Sequence, residues 1–92
     1  MIKSFKSKDT ARLFDRLSSR RWRDIAGTAR RKLEMLNAAK SLTELRVPPG
    51  NRLAALKGDR QGQYRIRIND RWGICFVWRG GDAHDVEIVD YH

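Results

Sequence analysis

With 92 residues, 40% of them hydrophobic and 34% charged, the sequence fits a single folded domain over 1–92 with a modest core, not a disordered tail. A formal charge of +9 favours phosphate-rich partners, RNA first among them, without conferring sequence preference. No apolar run approaches the roughly 18 residues that cross a bilayer, and the lone Cys75 can form neither an internal disulfide nor a thiolate metal cluster, so a cytoplasmic protein without membrane contact, metal or cofactor is expected.

In chain order, Ile2 to Phe5 reads as a short strand, and Ser7, Asp9 and Thr10 offer oxygens to cap a helix running to about Ser18, with Leu13, Phe14 and Leu17 inside. A second helix, from about Trp22 to Ala39, buries the stripe Trp22, Ile25, Ala29, Leu33 and Leu36. Gly27 within it predicts a packing contact or a bend. Residues 1–46 hold thirteen Lys/Arg against five Asp/Glu, and the remainder seven against six, so the helices are the basic part.

Lys40 to Asn51 reads as a loop, closed by Pro48-Pro49-Gly50. Tyr64, Ile66 and Ile68 then alternate with Gln63, Arg65 and Arg67, the signature of a half-buried strand. Asn69-Asp70 turns the chain into Trp72, Ile74, Phe76 and Trp78, again on every second position, which makes a hairpin. Gly80-Gly81-Asp82 makes another turn, and Val86 and Ile88 anchor a last strand. The expected architecture is α+β, with two N-terminal helices packed on one face of a twisted antiparallel sheet of four or five strands. Alternation puts Arg65, Arg67 and Arg71 on the open face as a phosphate track, with Lys57 placed to join them. Trp72 and Trp78 carry core parity.

Breaking an RNA phosphodiester by its own 2′-hydroxyl takes a base, a proton donor for the leaving oxygen and cations at the phosphate. Asp90-Tyr91-His92 supplies such groups: imidazole samples both protonation states near neutral pH, so His92 reads as donor or base. Asp90 can orient it or take a proton, and Tyr91 can stack on a base or donate a hydrogen bond. A regular strand would turn Asp90 and His92 to one side and Tyr91 to the other, so an irregularity at the chain end is expected. Alone, a terminal tripeptide is more often a frayed or solvated strand end than a catalytic one, and an exposed lysine ordinarily does nothing specific. His84 reads as surface. No glycine-rich phosphate loop, serine nucleophile motif or zinc signature is visible.

Taken together, Met1-Ile2-Lys3-Ser4-Phe5, Leu56-Lys57-Gly58-Asp59-Arg60, Asn69-Asp70-Arg71-Trp72 and Asp90-Tyr91-His92 resemble the HigB toxins of the RelE superfamily along nearly the whole chain. The resemblance implies a bacterial type II toxin that enters the ribosomal A site and cuts mRNA without a metal. It also implies a cognate helix-turn-helix antitoxin, through which alone operator DNA would be bound. By position, Lys57 would stabilise the phosphate, and Asp90, Tyr91 and His92 would form the catalytic end.

The sequence departs from the family at two places. Gly73 stands where the family usually has an arginine, and Ala54 where it often has a histidine. Gly73 reads either as a substitution that lowers toxicity or as a position whose charge Arg71 supplies, and Gly73→Arg is then expected to increase cleavage. A different class of function also fits these departures: a noncatalytic RNA-, ribosome- or antitoxin-binding protein with a decayed site. DNA binding by the basic helices is a third.

Overall fold

The computed structural model describes residues 1–17 and 20–91, so His92 and the expected helix end at Ser18 lie outside the described residues. Ser7 accepts a hydrogen bond from the Thr10 N–H at 3.2 Å and starts α1 (Lys8–Phe14). The helix stops four residues before the sequence predicts. Arg16 takes a left-handed φ of 66°, and the Leu17 N–H bonds the Arg12 carbonyl at 2.9 Å while the Arg16 N–H bonds that of Leu13 at 3.1 Å, closing a Schellman motif. Leu17, expected in the core, is consequently 46% exposed.

The second helical segment has two parts, a 3₁₀ turn at Arg23–Ile25 followed by α2 (Ala26–Ala38). Trp22, Ala29, Leu33 and Leu36 are buried along it. Gly27 makes no packing contact, because a Cβ there would meet nothing within 4 Å. It lies in the first turn, where the 3₁₀ backbone passes into the α-helix.

The stretch expected to be a loop contains a third helix, α3 (Leu42–Arg46). Ser41 and Glu44 form a capping box, with the Ser41 N–H donating to Glu44 Oε2 at 2.9 Å. Leu45 is thereby driven into the core. Pro49–Asn51 follows as a 3₁₀ turn, pinned by the buried Asn51 side chain, which donates to the Leu45 carbonyl at 3.0 Å and accepts from Lys32.

Among the described residues the sheet has four antiparallel strands in the order β1 (Ala54–Ala55), β2 (Tyr64–Arg67), β3 (Trp72–Arg79), β4 (Asp82–Asp90), so the α+β expectation holds. Ile66, Ile74, Phe76, Val86 and Ile88 meet the helices in one core, and Trp72 and Trp78 pack against it as their parity predicts. The opening segment pairs parallel to β4 through two separate bridges, Ile2–Ala83 and Phe5–Val86. Between them Asp85 takes a φ of 52°, which splits the expected strand. Thr10 joins the layers, its buried Oγ1 accepting from the Ile88 N–H at 3.1 Å.

Candidate active site

The face of the sheet turned away from the helices carries Arg65 and Arg67 from β2 and Gly73 and Cys75 from β3. The Tyr91 N–H bonds the Arg71 carbonyl at 2.9 Å, which continues the β3–β4 pairing one residue past β4 and keeps Tyr91 on this open face. Its hydroxyl donates to the Asn69 carbonyl at 2.7 Å. Its ring lies beside Gly73, and the Arg65 guanidinium sits 4.2 Å from the ring centroid, a cation–π contact of about 0.5–1 kcal/mol at a partly exposed site.

A cleft of about 240 Å³ opens against this stack, bordered by Lys57, Arg65, Cys75, Val89, Asp90 and Tyr91. Lys57 reaches its rim from the position just before a 3₁₀ turn, Gly58–Arg60. Gly58 there needs its φ of 65°, a conformation a side chain would strain. A second hollow of about 270 Å³ shares Arg65 and Tyr91 as a wall and adds Arg52, Arg67 and Asp70.

Three of the cations in and around the cleft already face a carboxylate. Arg60 donates to Glu87 at 2.8 Å, and this hydrogen bond holds its guanidinium above the usual arginine range. Arg67 pairs with Asp70, and Arg71 Nε lies 2.9 Å from Asp90 Oδ2. Lys57 and Arg65 have no ion pair among the described residues, and the Arg65 Nε is buried without an acceptor. The Cys75 thiol forms part of the wall, pushed up in pKa by burial and so neutral. The cleft therefore offers two cations without an ion pair, Lys57 and Arg65, beside the paired Arg60 and two carboxylates, Asp59 and Asp90, a set suited to a phosphodiester.

Of the residues named from sequence, Lys57, Arg65, Asp90 and Tyr91 border one cleft, and Arg67 lies in the adjoining hollow. Arg71 borders neither of these two hollows. It leans over Trp72 at 4.9 Å and lines a separate groove with Arg20, Arg21 and Arg23. Pairing is regular as far as Tyr91, the rest of the chain end lies outside the described residues, and a separate irregularity occurs at Asp85, with a register shift between Cys75 and Val77. His92 is outside the described residues. Arg60 and Asn69 stand within motifs the sequence shows, although neither carries a site role there, whereas nothing local marks Arg52. Among the described residues no three His, Cys, Asp or Glu side chains gather as metal ligands, and no helix is long and apolar enough to cross a membrane.

Residues 3–92 match a family model described as the RelE-like toxin of type II toxin–antitoxin system HigB. "Endoribonuclease HigB" of Proteus vulgaris is 33% identical over the full length of both chains. "Toxin HigB-1" of Vibrio cholerae serotype O1 is 45% identical over 53 residues, 58% of this chain and 56% of that protein. An uncharacterized protein of Haemophilus influenzae is 30% identical over 56 residues, 61% of this chain and 55% of its own length. The chain thus spans about half the length of two of these relatives and all of the third.

Proposed function

Because the chain belongs to the HigB-like toxins of type II toxin–antitoxin systems, we propose that it is an endoribonuclease that cuts mRNA on the ribosome and thereby arrests translation. The family carries an antitoxin partner with it; in this reading that partner is a helix-turn-helix protein that also holds operator DNA, and both act in the bacterial cytoplasm. The observation that carries the reading is the convergence of Lys57, Arg65, Asp90 and Tyr91 on one cleft, with Lys57 and Arg65 free of carboxylate partners among the described residues.

In the proposed reaction the 2′-hydroxyl loses its proton to a base as O2′ bonds to phosphorus. The P–O5′ bond breaks, and O5′ leaves with a proton from an acid. His92 and Asp90 take these proton-transfer roles, with Asp90 steadied by Arg71 at 2.9 Å. Lys57 meets the charge that builds on the non-bridging oxygens. Tyr91 has its hydroxyl committed to Asn69, so in this arrangement it acts as a positioning residue. Arg67 and Arg52 extend the positive surface along which the RNA backbone runs.

Induced expression followed by primer extension on a translated message tests the reading. New 5′ ends inside the reading frame, absent when the start codon is removed, are expected. Salt-sensitive ribosome binding without any new ends would instead favour the noncatalytic binding protein.

A further inference from the structure

The volume above Gly73 is filled from two other parts of the chain. A Cβ built there would lie 2.9 Å from Tyr91 Cε1, 3.0 Å from Tyr91 Cδ1 and 3.0 Å from Arg65 Cδ. The first distance is shorter than real Cβ atoms show and the other two are tighter than nearly all of them, so a side chain at 73 requires the ring or the arginine to shift. The backbone does not require glycine, since Gly73 is not among the residues with positive φ. A glycine inside a strand with ordinary backbone marks a close approach by something else, and here the visitors are Tyr91 and Arg65.

The consequence falls on Arg65. Its backbone partner on β3 is Cys75, yet its methylenes run diagonally to Gly73 and its guanidinium ends against the Tyr91 ring at 4.2 Å. Unlike Arg60, Arg67 and Arg71, it faces no carboxylate among the described residues, and its buried Nε has no acceptor. A planar guanidinium held on one face by an aromatic ring and facing no carboxylate fits a phosphate oxygen pair.

We propose that Gly73 is a positioning residue whose missing side chain lets Tyr91 press Arg65 across β3, making Arg65 the fixed cation that grips the substrate phosphate from β2. This rests on the RNA-cleaving reading, and it reverses the expectation for Gly73→Arg. An arginine at 73 does not fill a vacancy; it evicts Tyr91 and Arg65.

The test joins a spectral arm to a cleavage arm. By NMR, the Arg65 δ-methylene protons of the unaltered protein are shifted upfield by the Tyr91 ring, and both Gly73→Ala and Tyr91→Leu abolish that shift in proteins that remain folded. Titration with inorganic phosphate moves the Arg65 Nε–H resonance in the unaltered protein and not in Gly73→Ala. On translated mRNA, Arg65→Gln lowers cleavage about a hundredfold, the effect of losing one charged transition-state contact. Gly73→Arg also lowers it, and the double variant Arg65→Gln/Gly73→Arg cleaves no better than Arg65→Gln alone. An Arg65 shift unchanged in Gly73→Ala, a resonance indifferent to phosphate, or higher cleavage by Gly73→Arg would each overturn the proposal. If the unaltered protein cuts no RNA while both spectral results hold, the RNA-cleaving reading fails and the seat at Gly73 stands.

Discussion

The Tyr91 hydroxyl donates to the Asn69 carbonyl at 2.7 Å, and Asn69 is the residue that builds the β2–β3 turn, its Oδ1 accepting the N–H groups of Arg71 and Trp72 at 2.8 Å each. The last described residue is therefore strapped to a turn whose geometry is fixed, and with it the wall of the cleft. Tyr91→Phe keeps the ring and removes the strap. The expected cost is about 1 kcal/mol, or a fall of roughly 4–8 °C in Tm for a domain of this size, read by circular dichroism on heating. Cleavage should fall as well, because the ring no longer holds Arg65 in one place.

Lys57 allows stability and activity to be separated. It is exposed and makes no ion pair among the described residues, so Lys57→Ala should leave stability within about 0.5 kcal/mol. Cleavage should drop about a hundredfold, as for loss of one transition-state cation. Parallel denaturation and primer-extension measurements check the pair; equal losses in both would assign Lys57 to the fold.

Thr10 ties α1 to β4 through the Ile88 N–H at 3.1 Å. Thr10→Val preserves shape but strands that buried donor, at an expected cost of about 1–3 kcal/mol. Thr10→Ser should recover most of it. Urea unfolding of the two variants provides the comparison.

Burial raises the pKa of the Cys75 thiol, so the folded state favours its neutral form. In the unfolded chain the thiol ionises at its ordinary value, and the folded state cannot follow until the pH is higher. The contribution of Cys75 is therefore fully present below the ordinary thiol range and is lost as pH climbs through the raised pKa. Stability measured from pH 7 to pH 10 should decline more steeply in the unaltered protein than in Cys75→Ala, and alkylation of the native thiol should stay slow at pH 8.

The period of two over Tyr64–Ile68 and Trp72–Trp78 was enough to place the hairpin and the core face, because a one-residue slip would bury Arg65 and Arg67. The third helix was legible too, since Ser41-Leu42-Thr43-Glu44 spells a capping box, but Pro48-Pro49 a few residues on obscured it. The stop at Arg16 was not: an arginine in a left-handed conformation carries no local signal. Nor was the arrangement at Gly73, which depends on the side chains of Arg65 and Tyr91 meeting over a glycine backbone on the strand between them. Arg71 kept the parity of the open face in sequence, yet the turn at Asn69 carries it towards Trp72 and Asp90.

The chemistry at the cut ends of the message tests the central claim most directly. A reconstituted translation reaction with defined mRNA, stopped after addition of the protein, should give upstream fragments ending in a 2′,3′-cyclic phosphate and downstream fragments beginning with a 5′-hydroxyl. A 2′-deoxy substitution at the cut nucleotide should abolish cleavage there. Fragments carrying 5′-phosphates and free 3′-hydroxyls, or cutting that survives the 2′-deoxy substitution, would contradict the account.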